Sequence, residues 1–254
     1  MANIAERQKW ILERLKQQGF VKVHALSREL HASEVTIRKD LKMLEEKHLL
    51  QRSHGSASIP ASIISDRHID VKEKMQAEEK ARIAKAANEM LEPNDKIIIA
   101  SGTTLLAFAG AIDIHSRITA ITSSVRVSLM LCYNPYIEVV QLGGTIRRNS
   151  VSVIGHYAEN TLAALSCNKL FIGVDGIDVD YGLTTSDMNE ARINQQMIAA
   201  AQKIIVLTDS SKFDKRGFCK ICPLDHIHHI ITDTNAPAHI VRMIRERNIE
   251  VTLV

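Results

Sequence analysis

Cysteine is scarce in this chain: Cys132, Cys167, Cys219 and Cys222 are too few and too scattered to staple a fold of 254 residues, so reduced thiols are expected. Long apolar runs are missing too. None approaches the roughly 20 residues of a membrane span, which excludes a helical membrane protein. The opening residues, MANIAERQKW, carry acidic and basic groups where a signal peptide needs an apolar core, so a cytoplasmic location is expected. Internal repeats and low-complexity segments are absent. With 45% hydrophobic and 24% charged residues the composition is that of a soluble globular protein, and the length favours two domains.

The small net charge of +3 is unevenly placed. Residues 1–58 carry 11 Lys/Arg against 7 Asp/Glu, while the remainder is slightly acidic. An excess confined to the first segment points to a polyanion partner for that segment alone. There Ile4, Trp10, Ile11 and Leu15 fall near helical spacing, with Gly19 as a C-cap, and Phe20–Val23 suggests a brief strand. His24–Leu30 reads as a second helix. The turn His31-Ala32-Ser33 leads to a third over about 34–47, with Ser33 as N-cap. On that helix Ile37, Leu41 and Leu44 share one face, and Val35, Arg38, Lys39 and Lys42 point roughly the other way. A basic face at the start of the second of two turn-linked helices is the helix-turn-helix arrangement for the major groove. Leu49–Ser56 then predicts a small hairpin with Gly55 at its tip, a basic wing; the alternative reading of the helix is a solvated face.

The stretch SEVTIRKDLKMLEEKHLLQRSHGSA resembles the winged helix-turn-helix of the DeoR family of bacterial transcriptional regulators, through the core Thr36-Ile37-Arg38-Lys39-Asp40-Leu41. The resemblance runs from about Glu6 to Gly55. It departs at Ser53-His54-Gly55, where the family often has an aromatic residue or His followed by two glycines.

Residues 59–76 read as a linker, with turn formers and no sustained periodicity. From residue 77 onward, β-branched runs alternate with helical segments. The strands are expected at 96–100, 118–122, 137–142, 170–174, 204–208, 229–232 and 250–254, which predicts an α/β domain with a largely parallel sheet. Ligands bind such sheets where strands end. Those ends carry Ser101-Gly102-Thr103-Thr104, Ser123-Ser124, Gly144 with Arg147, Asp175, the stretch from Gly182 to Glu190, and Asp209–Phe213 with Lys212. Glycine-turn amides, threonine hydroxyls and a helix N-terminus suit a phosphate. Lys212 or Arg147 would add positive charge, and Asp175 and Glu190 would accept hydrogen bonds from hydroxyls. That mix fits a phosphorylated sugar or polyol.

The same resemblance covers essentially the whole chain, through SGTT, GGTIRR, GVDGID, Thr184–Ala191 and DSSKF. It implies an effector domain related in fold to ribose-5-phosphate isomerase that senses a phosphorylated sugar. Gly102, Thr103 and Thr104 would hold the phosphate, with Asp175, Glu190 and Lys212 around the sugar. Ala100 stands where many members have Asp, and Ser123 where many have Asn; both departures are expected to remove a polar contact from the pocket.

Two other functions are open to these residues. An isomerase would use Glu190 as base and Lys212 as cation, but an attached helix-turn-helix calls for a ligand released unchanged. A metal- or redox-responsive regulator would use Cys219 and Cys222 with His226, His228 and His229; Ile221 and Ile227 alternate through that segment, and we read it as a solvated loop with incidental Cys and His. The expectation is therefore a repressor, with no cofactor and no metal, that binds double-stranded operator DNA as a dimer or tetramer under control of a sugar phosphate. Glu34, Thr36, Arg38 and Lys39 are the expected base and near-base contacts, with Ser33, Lys42, Arg52 and His54 nearer the phosphates.

Overall fold

The computed structural model describes residues 4–18, 20–46, 50–53, 55–58, 67–113, 115 and 117–254. Gly19 and His54, assigned above as cap and DNA contact, lie outside the described residues. The chain divides into two compact units, Met1–Ile64 and Ser65–Val254.

In the first unit α1 (Ile4–Gln18), β1 (Phe20–Lys22), α2 (Val23–Glu29), α3 (Glu34–Glu46), β2 (Gln51–Ser53) and β3 (Ser56–Ser58) follow in order. The three strands form an antiparallel sheet ordered β1-β3-β2. The aliphatic stripe predicted for α3 is the packing face: Ile37, Leu41 and Leu44 join Ile11, Leu15, Val21, Val23, Leu26, Leu50 and Ala57 in one core. At roughly 1.5–3 kcal/mol for each fully buried large aliphatic, this cluster is what holds so small a unit together. A buried forked ion pair ties α1 to α3, Arg7 Nε to Asp40 Oδ2 at 2.5 Å and Nη2 to Oδ1 at 3.1 Å. Ser33 caps α3 as expected, its Oγ accepting from the Thr36 N–H at 3.2 Å.

The second unit opens with α4 (Ile69–Glu73) and α5 (Ala77–Asn88). The predicted linker over 59–76 is corrected in its described part: residues 69–73 are helical, and Ile69 is buried; 59–66 lie outside the described residues. Five residues are too few to show a period, so side-chain bonds rather than propensity hold this helix. There follow β4 (Lys96–Ile99), α6 (Thr103–Ala111), β5 (Ile118–Thr122), α7 (Val125–Leu131), β6 (Ile137–Gln141), β7 (Thr145–Arg147), β8 (Ser152–Ile154), α8 (His156–Ala163), β9 (Cys167–Ile172), β10 (Gly176–Asp178), β11 (Gly182–Thr185), α9 (Met188–Ala199), β12 (Ala201–Leu207), β13 (Cys219–Cys222), β14 (His229–Thr232), α10 (Ala238–Arg245) and β15 (Glu250–Leu253).

Seven of these strands form one parallel sheet ordered β15-β14-β12-β9-β4-β5-β6, at the seven places the sequence indicated. The two-residue period of a strand divides its side chains between two cores. Ile97, Ile99, Phe171, Ile205 and Leu207 enter one with Phe108, whose ring centroid is 4.5 Å from that of Phe171. Ile98, Ala100, Leu170, Ile172, Ile204 and Val206 enter the other. Burial on both faces is why these strands read as unbroken apolar runs. The strand order reverses between β4 and β9, the switch point at which parallel sheets open a crevice. Two small antiparallel sheets, β7-β8 and β10-β11-β13, add to the unit. β11 and β13 were expected as loops; they pair with each other across a bulge between Leu183 and Thr184.

Candidate functional site

A cleft opens at the switch point. Ser101–Leu105 from the β4–α6 junction and Gly173–Asp175 after β9 line it, with Thr208, Asp209, Ser211 and Lys212 after β12. Gly102 is the N-cap of α6 at φ 134°, a conformation that strains any residue with a Cβ, and no side chain caps the helix. The first amides of α6 have no partner within the helix and carry the positive end of its dipole. Thr103 and Thr104 are buried beside them.

Carboxylates gather at the other end. Asp175 Oδ2 accepts from the Ser186 N–H at 3.0 Å, the Ser186 hydroxyl at 2.9 Å and the Thr185 hydroxyl at 3.3 Å, while Oδ1 lies 2.9 Å from Lys72 Nζ. Burial alone would raise the Asp175 carboxyl, but the positive charges of Lys72 and Lys212 and the bonds from Lys72 and Ser186 outweigh it and hold it at about 2. Glu190 accepts from Arg147 Nη1 at 3.3 Å, and its Oε2 lies 3.3 Å from the same Thr185 hydroxyl, whose single proton serves either Asp175 or Glu190. Here burial prevails over the Ser150 bond and the Arg147 charge, and the carboxyl is raised. Asp187 caps α9 by accepting from the Asn189 and Glu190 amides.

Lysines line the cleft as well. Lys80 is buried and donates to the Lys72 carbonyl at 2.6 Å and the Met75 carbonyl at 2.5 Å. Burial lowers its ammonium to about 8, with Asp209 pulling it up and Lys212 and Lys72 pushing it down.

Of the residues expected to bind ligand, Ser101, Gly102, Thr103, Thr104, Arg147, Asp175, Glu190 and Lys212 converge on this cleft. Ser123, Ser124 and Gly144 do not. Ser123 is buried, and its carbonyl accepts from Val153 N–H at 2.7 Å. Ser124 caps α7, its Oγ accepting from Val127 N–H at 3.3 Å. Gly144 serves the hairpin, since a Cβ there would lie 2.8 Å from the Ile154 carbonyl oxygen. Ala100 packs in the apolar core, not against the cleft, so neither Ala100 nor Ser123 marks a lost polar contact in the cleft wall. Sequence reading missed Lys72, Lys80 and Arg67, which line the cleft from the segment taken as linker and from α5, and also Asn194. The position of Asn194, one turn beyond Glu190 on α9, was the available signal.

The metal reading finds no support in geometry. Cys219 and Cys222 belong to strand β13, and burial pushes the Cys222 thiol up to about 12. His228 Nδ1 accepts from Ile204 N–H at 3.1 Å, and His229 Nε2 lies 2.8 Å from Thr252 Oγ1. Among the described residues no group of three or more His, Cys, Asp or Glu is placed to hold a metal ion, and no helix is long and apolar enough to cross a membrane.

In the first unit, Ser33, Glu34, Val35, Arg38, Lys39 and Lys42 are exposed and Thr36 is half-buried at the start of α3. Arg38 pairs with Glu34 at 2.8 Å across one helical turn. Arg52 on the wing holds Glu45 at 2.6 Å. The helix, its turn and its wing have the geometry of a groove-reading module.

Comparison with known proteins agrees with both units. Residues 7–62 match the DeoR-like helix-turn-helix domain and residues 75–234 the DeoR C terminal sensor domain. The chain is 37% identical over 252 residues to "Putative aga operon transcriptional repressor" of Escherichia coli O157:H7, covering 98% of this chain and 94% of that one. It is 28% identical to the glycerol-3-phosphate regulon repressor of Escherichia coli K12, covering 98% of each. Ribose 5 phosphate isomerase A from Neisseria gonorrhoeae aligns over 59% of this chain and 57% of its own, at 18% identity and a TM-score of 0.41. The chain belongs to the DeoR family of DNA-binding transcriptional repressors, and is a regulator, not an enzyme.

Proposed function

We propose that this repressor senses a phosphorylated sugar or polyol in its α/β unit and controls a carbohydrate-utilisation operon in the cytoplasm. The observation that carries the reading is the charge of the cleft: Arg67, Lys72, Lys80, Arg147 and Lys212 line it against Asp175, Glu190 and Asp209. The excess of two positive charges suits a phosphate dianion, which the uncapped N-terminus of α6 would hold beside Lys212. The carboxylate end would then take hydroxyls.

On the DNA side, Glu34, Thr36, Arg38 and Lys39 meet base edges in this reading, with Ser33, Lys42 and Arg52 nearer the backbone phosphates. His54 was expected to join them. One module offers few contacts, so two or four chains act together on repeated half-sites. Residues 1–58 form the DNA-binding domain and the sensor follows it.

The test is a thermal-shift screen of the full chain against sugar and polyol phosphates, their unphosphorylated parents and inorganic phosphate. Stabilisation that needs both the phosphate and the hydroxyls supports the reading, because a ligand selective for the native state raises apparent stability by mass action. A flat response across the panel rejects it.

A further inference from the structure

The helix α4 is a five-residue, largely polar element, yet it is held from several sides. Ile69 N–H donates to the Asn149 carbonyl at 2.8 Å, and Arg126 pairs with Asp70 at 3.3 Å and with Glu73 at 2.8 Å. Lys80 gathers the carbonyls of Lys72 and Met75 at its end. The remaining tie reaches the floor of the cleft: Lys72 Nζ on Asp175 Oδ1 at 2.9 Å. The side chain of Lys72 is 28% exposed and that of Asp175 only 10%, so the pair is shielded and still within reach of a small solute.

Asp175 offers a ligand limited room. Its Oδ2 already accepts from the Ser186 amide and the Ser186 hydroxyl, with the Thr185 hydroxyl a further 3.3 Å neighbour. A carboxylate oxygen offers about two lone pairs, so an incoming hydroxyl must use Oδ1, where Lys72 already takes one of the two. Hydroxyl and ammonium then share one oxygen, and each weakens the other's hold on it. Lys72 belongs to the first helix of the second unit.

We propose that Lys72 is an effector-displaced latch: a ligand hydroxyl sharing Asp175 Oδ1 and the ligand's phosphate drawing on the ammonium together displace Lys72, and the α4 segment is released from the cleft floor. The freed ammonium turns toward the bound phosphate, on the side where Lys212 already stands. Occupancy of the cleft thus becomes a change in the backbone that leads to the DNA-binding unit. This rests on the sugar-phosphate reading above, since the displacing group is one of that ligand's hydroxyls.

The test is hydrogen–deuterium exchange on the full chain, comparing wild type with Lys72→Met and Lys72→Arg. Local opening of a short segment is read directly by amide exchange. Lys72→Met is expected to speed exchange over residues 69–75 by at least about fivefold, with β4 unchanged and with Lys72→Arg restoring protection. In wild type, glycerol 3-phosphate or hexose 6-phosphates that raise the melting temperature should speed the same amides, while inorganic phosphate should not. In Lys72→Met those ligands should add nothing further over 69–75. Unchanged exchange in Lys72→Met, or acceleration across the whole unit, overturns the latch. Thermal stabilisation of wild type by a sugar phosphate without faster exchange over 69–75 also overturns it, and leaves the sugar-phosphate reading standing. Absence of stabilisation by every phosphate rejects that reading, and the latch with it.

Discussion

Arg147 at the end of β7 donates from Nη1 to Glu190 Oε1 at 3.3 Å, and its Nε stands 3.3 Å from Asp187 Oδ2, so one guanidinium joins the hairpin to the first turn of α9. Arg147→Met leaves a buried carboxylate without its counter-charge. We expect a loss of about 1–3 kcal/mol in stability near neutral pH. Glu190 is raised in the fold, so its neutral form is the favoured one and its contribution declines as pH climbs above the ordinary carboxylate range. The cost of Arg147→Met should therefore shrink in acid, where the neutral carboxyl needs no partner. Urea midpoints of both proteins at about pH 7 and about pH 4 check the sign.

Arg38 is exposed and its ion pair with Glu34 is a surface contact worth only about 0.3–0.5 kcal/mol. Arg38→Ala should leave the melting temperature nearly unchanged. Affinity for a duplex selected from a random pool by the wild-type protein should fall by about 2 kcal/mol, roughly thirtyfold. Lys42→Ala should weaken all sequences alike and reduce the salt slope by about one. Unaltered affinity in Arg38→Ala would remove α3 from the groove.

Thr103 sits on the first turn of α6, where a carboxylate side chain suits the helix dipole. Thr103→Glu should therefore keep or raise thermal stability while abolishing stabilisation by any sugar phosphate, because its own charge occupies the anion site. Gly102→Ala acts differently. Space is available, with Leu105 Cδ2 3.7 Å from the added carbon, so its cost of about 1–2 kcal/mol comes from φ 134° alone. Calorimetry of the two variants separates the effects.

Lys80 titrates near 8 in the fold against 10.5 for a free lysine. Keeping it charged costs stability below about pH 8, and that cost is relieved as pH rises from about 8 toward 10.5. A bound phosphate favours the charged form, so binding takes up a proton in the same window and affinity falls by at most about tenfold per pH unit above 8. Ligand-free stability and ligand affinity should move in opposite directions. Asp209, Lys212, Glu73 and Lys72 share this environment, and Lys80→Met should flatten both trends. Isothermal titration at two pH values in buffers of different ionisation heat reads the proton uptake.

Thiol chemistry should follow exposure. Cys132 is exposed, whereas Cys167 and Cys222 are buried and burial raises both thiols. Native protein treated with iodoacetamide should carry its label on Cys132, with Cys222 modified only after denaturation; peptide mapping decides it.

Much of this fold is legible in sequence because the inner strands of the parallel sheet are buried on both faces. Ile97-Ile98-Ile99 feeds two cores at once and leaves no polar gap to blur the signal. The small sheet escaped because Gly182–Thr185 and Cys219–Cys222 are glycine-led or bulged and pair across the chain. Strand ends located the cleft, but a position at a strand end does not say which way a side chain turns. That is why Ser123 and Ser124 lie outside the cleft while Asp175 and Lys212 line it. Lys72 was invisible for another reason. Its partner lies 103 residues away, and nothing in a short polar segment signals a bond over that distance.

The place where α4 begins also bears on how such proteins can be recombined. A sensor cut at residue 77, where the long helical pattern starts, would discard Arg67, Ile69, Lys72 and Gln76 and leave the cleft without a wall. On the proposed reading, a junction before residue 67 would carry the whole cleft wall as one cartridge. Grafted behind a different DNA-reading head, that cartridge would bring the proposed trigger along, so specificity for DNA and specificity for effector could be exchanged independently.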